Sequence, residues 1–217
     1  MNDDLKRRAA LAALREIRDG MIVGLGSGST ASIFIRELGN ARLKVFGIPT
    51  SQQSHRIAEE VGVPLTTFEV HPEIDVTVDG ADEVSPELDL IKGLGGALVR
   101  EKIVAHASRR VIIIVDESKL VERLGSKTAI PVEVIPLAVP RILLQLPGAH
   151  VREKNGQPFV SDNGNWILDW KRGAVDDAAA LEKQLKAMTG VVDSGVFAGV
   201  ASSVIVAGQS GVRTMAK

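Results

Sequence analysis

Five consecutive apolar residues, Val111-Ile-Ile-Ile-Val115, do most to limit how this chain can fold. A run this short reads as a strand, and with no polar side chain to offer to water it must be covered on both faces. It is also far too short to span a bilayer. Strand-like runs at residues 21–23, 43–48, 74–78 and 203–207 alternate with helical periodicity at 5–17, from 31 to Gly39, at 51–61 and at 97–108. Strands alternating with helices, several of them apolar throughout, predict a parallel sheet with helices on both sides. Gly20 and Gly39 read as helix stops, and the chain past residue 207 reads as a short polar tail.

The pattern changes near Ser126. From there the order is strand (132–135), helix (137–146), strand (159–160), strand (166–169), helix (176–188) and strand (191–197). Asn163-Gly164 forms the hairpin turn between the central strands, and Asp176 is the expected N-cap of the second helix. The order βαββαβ is that of a ferredoxin-like α+β domain, inserted before the last strand of the parallel sheet.

Composition removes several classes of function. The 26 basic and 27 acidic side chains nearly cancel, leaving no electrostatic footprint for nucleic acid or an anionic membrane. Phe and Trp together supply only seven aromatic rings and Tyr none, too few for a base-stacking platform. With no cysteine there are no disulfides, thiolate ligands or cysteine nucleophiles, as suits a reducing compartment. His55, His71, His106 and His150 are scattered without ligand spacing, so no metal site is expected. The first twenty residues alternate charge with short apolar steps, unlike a signal peptide, and the expectation is a soluble cytoplasmic protein.

Chemistry concentrates in three places. The first is Gly24-Leu-Gly26-Ser27-Gly28-Ser29-Thr30, between a strand and a helix. Glycines let the backbone approach a ligand, and the helix start offers N–H groups and hydroxyls to an anion. A tight capped turn is the plain alternative, but three glycines with three hydroxyls favour phosphate. Gly26-x-Gly28-x-x-Ala31 also fits a dinucleotide fingerprint, yet no carboxylate ends the following strand, Gly47-Ile-Pro-Thr-Ser51. Without a lysine ahead of Ser29-Thr30 it is not a Walker loop. A small terminal phosphate remains.

The second is Asp79-Gly80-Ala81-Asp82-Glu83, at the carboxyl end of a strand, where open α/β sheets bind ligands. A lone Asp there is usually a turn residue. Three carboxylates in five positions invite another reading, in which Asp79 and Asp82 accept hydrogen bonds from a polyol. The third is Lys92-Gly93-Leu94-Gly95-Gly96, which opens a helix carrying Arg100-Glu101-Lys102. A lysine beside exposed backbone N–H groups can stabilise an oxyanion. Glu101, a surface glutamate in the plain reading, then lies where a base would serve. Carboxylates, a lysine and a glycine-rich oxyanion site suit aldose–ketose isomerisation, which needs neither a metal nor an organic cofactor.

On Gly26-Ser-Gly-Ser-Thr30, Asp79-Gly-Ala-Asp-Glu83 and Lys92-Gly-Leu-Gly-Gly-Ala-Leu-Val-Arg-Glu-Lys102 the sequence resembles the type A ribose-5-phosphate isomerases. Asp116-x-Ser118-Lys119, Pro131-Val-Glu-Val-Ile-Pro136 and Thr189-Gly-Val-Val192 extend the resemblance along nearly the whole chain. It implies a Rossmann-like catalytic domain over 1–126 and 199–217 with a ferredoxin-like domain over 127–198. It implies Glu101 as the base between C1 and C2, Asp79 and Asp82 on sugar hydroxyls with Asp79 assisting ring opening, and Lys92 on the oxyanion. Gly80, Ala81, Gly93, Leu94 and Gly95 would contact substrate, while Ser27, Gly28, Ser29, Thr30 and Lys119 hold the phosphate. It further implies ribose 5-phosphate and ribulose 5-phosphate as substrates in the pentose phosphate pathway, no cofactor or metal, and a homodimer or homotetramer. Ser27 stands where threonine is common, and Leu94 where glycine or methionine is frequent. Competing readings are a sugar-phosphate-sensing domain without catalysis, for which no DNA-binding segment is visible, and an acyl-transfer relative with a glutamate nucleophile.

Overall fold

The computed structural model describes residues 2–216 and divides into two compact units. One unit takes the chain up to Ala81, Arg100–Lys119 and the residues from Val200 onward; the other takes Asp82–Val99 and Leu120–Gly199.

The first unit is built on the apolar strands. Helix α1 (Asn2–Leu14) precedes β1 (Ile22–Leu25), α2 (Gly28–Ala41), β2 (Phe46–Pro49), α3 (Gln52–Glu60) and β3 (Val76–Asp79). Most of α4 (Leu98–His106), β6 (Val111–Asp116), β14 (Ser203–Gly208) and β15 (Gly211–Ala216) complete it. The sheet order is β15-β14-β6-β3-β1-β2, parallel throughout except for β15. All six residues of β6 are buried, as a central strand covered on both faces requires. Side chains sort by pleat: Val23, Leu25, Val76, Val78, Ile112 and Ile114 join α1, α2 and α3 in the main core. Ile22, Ile48 and Ile74 face the other way, onto Val104 of α4.

Three expectations change here. The polar tail is the edge strand β15, whose six residues all pair with β14; its outward polar side chains are what an edge strand carries. Gly39 does not end α2, which runs to Ala41 and closes on Arg42 in the left-handed conformation (φ 53°). Gly39 is there because an added Cβ would lie 2.6 Å from Val61, where α2 passes the end of α3. The first helix stops at Leu14, short of Ile17, which still reaches the core.

The second unit contains β4 (Glu83–Val84), β5 (Leu90–Ile91), β7 (Ile130–Val134), α5 (Val139–Gln145) and β8 (Ala149–Val151). After these come β9 (Glu153–Lys154), β10 (Gln157–Pro158), β11 (Trp166–Trp170), α6 (Ala178–Lys186), β12 (Val191–Ser194) and β13 (Val196–Phe197). Its main sheet, β12-β7-β11-β8, is antiparallel throughout and has the ferredoxin-like order, with α5 and α6 packed on Ile130, Val132, Val134 and Leu168. The second ferredoxin strand is β8, not residues 159–160. Those make one bridge, Val160 to Trp166, because β9 and β10 pair with each other as a separate hairpin. The Asn163-Gly164 turn does form, with Gly164 at φ +81°. The N-cap of α6 is Asp177, whose side chain accepts the Ala180 amide at 2.9 Å; Asp176 pairs with Arg123 instead.

The strand expected over 191–197 breaks at Gly195. There the chain leaves the main sheet and pairs with β5 in a small sheet, β13-β5-β4. A Cβ at Gly195 would stand 2.1 Å from the Lys92 carbonyl. Among the described residues no helix is long and apolar enough to cross a membrane.

Glu83, fully buried, holds the second unit together near this small sheet. Its carboxylate accepts from the amides of Gly125, Lys127 and Thr128 and from the Thr128 hydroxyl, at 2.5 to 3.0 Å. Replacing it would leave three backbone donors without that acceptor. Glu83→Ala is expected to lose about 3 kcal/mol or more of stability, measured by urea denaturation.

Candidate active site

In the first unit the chain order β1, β2, β3 reverses direction across β1, so the topological switch point lies between the adjacent strands β1 and β3. Gly26 follows β1 and Asp79 ends β3, placing both at the carboxyl end of this crevice. The amides of Ser27 and Gly80 donate to Asp79 Oδ1 at 2.9 and 2.7 Å, and Gly26 donates to the Val78 carbonyl at 3.0 Å. Asp79 is 2% exposed. A Cβ on Gly26 would stand 2.2 Å from that same Oδ1, so the glycine is what lets the carboxylate lie against the loop.

Ser27 is the N-cap of α2 by backbone conformation but makes no side-chain cap. Its hydroxyl instead meets Thr50 Oγ1 at 2.7 Å, and Thr50 donates to the Leu25 carbonyl. Gly28, at φ +87°, has open space around it, and Gly28 and Ser29 are exposed. The first turn of α2 itself carries no acidic residue. Beyond β6, Asp116 Oδ1 accepts the Ser118 amide at 3.0 Å and the Ser118 hydroxyl, shaping the turn that ends in half-buried Lys119.

Glu101 lies in the first turn of α4 and is 4% exposed. A helix crossing from β3 to the parallel neighbour β6 runs antiparallel to them, which brings its first turn to the carboxyl end of the sheet. Ser27, Gly28, Ser29, Thr30, Asp79, Gly80, Ala81, Glu101 and Lys119 therefore share one end of the first unit.

In the second unit Asp82 donates its amide to the Ile91 carbonyl at 2.8 Å and accepts the Leu94 amide on Oδ2 at 3.0 Å. One of the carboxylates read as polyol ligands thus also orders the glycine-rich loop. Lys92 is 3% exposed; its amide bonds Gly195, and its ammonium lies 5.6 Å from the Phe197 ring centre. Gly93 and Gly96 take positive φ, +99° and +86°, and a Gly96 N–H bond to the Gly93 carbonyl closes the turn. Leu94 and Gly95 are exposed.

Sequence reasoning missed three contributors. Thr50 is fully buried beneath Ser27, and its place after the second strand, at the sheet's carboxyl end, was the available signal. Arg152 donates to the Gly93 and Leu94 carbonyls and pairs with Asp169, and no local pattern announces this. Glu83 belongs to the framework, although spacing grouped it with Asp79 and Asp82. Among the described residues no group of three or more His, Asp or Glu could hold a metal ion.

The family model for ribose 5-phosphate isomerase A (phosphoriboisomerase A) matches residues 46–211. The ribose-5-phosphate isomerase A of Rhodopseudomonas palustris (strain HaA2) is 50% identical, the alignment covering 98% of this chain and 97% of that one. A solved D-ribose-5-phosphate isomerase in complex with phospho-erythronic acid superposes with a TM-score of 0.97 at 39% identity over 100% of both chains. The ribose 5-phosphate isomerase A structure from Methanocaldococcus jannaschii gives 0.95 at 42% identity, again over 100% of both chains.

The contact at Gly26 makes a prediction. Gly26→Ala should lower stability by about 1–3 kcal/mol, because backbone and carboxylate cannot both stay in place. Gly95→Ala, with nothing within 4 Å of its added methyl, is expected to change stability by no more than about 0.5 kcal/mol. Thermal unfolding of the two variants beside the parent chain checks the contrast.

Proposed function

The chain belongs to the ribose-5-phosphate isomerase A family, and from that premise we propose that it interconverts D-ribose 5-phosphate and D-ribulose 5-phosphate through an enediolate, without a cofactor. The observation that carries the reading is that five charged side chains between Asp79 and Lys102 are buried, of which Glu83 serves the framework while Asp79, Lys92 and Glu101 stand at the positions to which the resemblance gives the chemistry. Asp79, Lys92 and Glu101 are 2, 3 and 4% exposed. Burying charge is costly, so charges retained there call for a role beyond solvation.

The roles follow from the chemistry. Starting from ribose 5-phosphate, the Glu101 carboxylate removes the C2 proton; the C–H electrons form the C1=C2 bond, and the carbonyl pair moves onto O1. The Lys92 ammonium and the amides of the 93–95 loop stabilise that oxyanion. Glu101 returns its proton to C1 as C2=O2 forms, and the O2 hydroxyl proton passes to O1. Asp79 and Asp82 accept sugar hydroxyls, with Asp79 assisting ring opening. The first turn of α2, with Ser27 to Thr30, and Lys119 take the phosphate. Gly80, Ala81 and Leu94 line the substrate.

The proposal extends to assembly as a homodimer or homotetramer in the cytoplasm. Leu137, in the turn before α5, and Leu144, within it, are 92 and 76% exposed, large apolar side chains of the kind an interface covers.

The direct test adds ribose 5-phosphate to protein freed of metal by chelation and follows ribulose 5-phosphate; absence of turnover would refute the proposal. Glu101→Gln is expected to lower kcat by roughly 10²–10⁴-fold, and a near-normal kcat would move the base elsewhere. Lys119→Ala should chiefly raise KM for ribose 5-phosphate while sparing the slow turnover of unphosphorylated ribose. An equal effect on both sugars would remove Lys119 from the phosphate site.

A further inference from the structure

Arg152, in the second unit, follows β8 and is only 12% exposed in its side chain. Nε donates to Asp169 Oδ2 at 2.9 Å and Nη2 donates to Oδ1, a two-bonded pair with a carboxylate that is itself 16% exposed. Nη1 donates to two consecutive backbone carbonyls, Gly93 and Leu94, each at 2.9 Å. Four of the five N–H donors of a guanidinium are thus engaged. The guanidinium also lies 5.8 Å from the Phe159 ring centre. That ring fills the space beside Gly96, where an added Cβ would approach it to 2.5 Å.

A peptide unit is planar and trans, so its carbonyl and its N–H point in opposite directions. Holding the Gly93 and Leu94 carbonyls on one cation turns the following amides, those of Leu94 and Gly95, away from it. Leu94 conforms: its amide reaches Asp82 Oδ2. The space around Gly95 is open. The Asp82 carboxylate is one anion on that side, and the Gly95 amide, turned the same way, can meet a second.

We infer that Arg152, anchored by Asp169, is a positioning residue that fixes the peptide planes of the Lys92–Gly95 loop, keeping the Leu94 amide on Asp82 and turning the Gly95 amide to meet the enediolate oxygen. The inference rests on the reading of that loop as the oxyanion site. Arg152 itself need not touch substrate. Lysine cannot replace it, because one ammonium cannot span a carboxylate and two carbonyls in this fork geometry. Amides aimed at charge that develops only during reaction contribute to kcat rather than to ground-state binding.

The experiment compares kcat and KM for ribose 5-phosphate in Arg152→Lys, Arg152→Met, Asp169→Asn and Lys92→Met, with circular dichroism confirming the fold. Folded Arg152 variants are expected to lose about 10–100-fold in kcat, in keeping with displaced oxyanion donors, while KM stays within about threefold. A kcat within about twofold of the parent, or a loss confined to KM, overturns the inference, since a pair serving stability alone would move neither constant this way. If neither Arg152 variant folds, Asp169→Asn decides: a fall of about 3–10-fold in kcat at constant KM supports the inference, and an unchanged kcat overturns it. Lys92→Met separates the two levels. Full activity in that variant removes the oxyanion reading itself, whereas a collapsed kcat there beside intact Arg152 variants removes only Arg152.

Discussion

Asp79 can sit where it does only because residue 26 has no side chain. The 2.2 Å separation between its carboxylate and a notional Cβ on Gly26 leaves no intermediate arrangement: the carboxylate fills that space or the loop gives way. Given the glycine, Oδ1 takes the Ser27 and Gly80 amides, joining the turns that follow β1 and β3. Ser27 in turn rests on Thr50 from the end of β2. Three adjacent strands of the first unit are tied at their carboxyl ends by one carboxylate and one pair of hydroxyls. The start of α2 is fixed by the same ties.

The sequence allowed this end of the fold to be read because two independent regularities coincide there. Apolar strands predict a parallel sheet, and ligands collect at the carboxyl ends of such sheets. Residues such as Asp79 and Ser27 inherit their location from strands β3 and β1, so their place at that end could be read from position alone. The second unit was legible as far as its strand order depends on local periodicity. The substitution of β8 for residues 159–160 was not. Phe159 and Val160 are as apolar as β8 and flank a good turn, and only competition for the edge of β11 decides between the two segments. Strand β15 was missed for a related reason: an edge strand exposes polar side chains and resembles a tail.

The acidic cluster shows where spacing stops being informative. Asp79, Asp82 and Glu83 lie within five positions, yet each has different partners. Asp79 binds the amides of its own turn and of Ser27, Asp82 binds the amide of Leu94, and Glu83 disappears into a nest of amides between residues 125 and 128. Glu83 is separated from those donors by more than forty residues, a distance over which no motif operates. Arg152 is the same case with the sign reversed, reaching carbonyls 58 and 59 positions away.

A common device underlies these cases. Each of the three side chains, Asp79, Glu83 and Arg152, bonds backbone groups at a bend that no regular ladder satisfies. A charged side chain is well suited to that position, because hydrogen bonds to ions are stronger than neutral ones and several donors or acceptors can converge on one group. It also fixes peptide orientation, which apolar packing does poorly at exposed glycine-rich loops. The loops proposed to meet phosphate and enediolate are built mostly of glycine and serine, and the one large apolar side chain between Gly93 and Gly96, Leu94, is exposed rather than packed. Their shape therefore has to be imposed by charges set behind them. On that view buried charge in this fold divides into groups proposed to act on the ligand and groups that hold the backbone, with Asp79 holding the Ser27 and Gly80 amides and proposed for the first role as well.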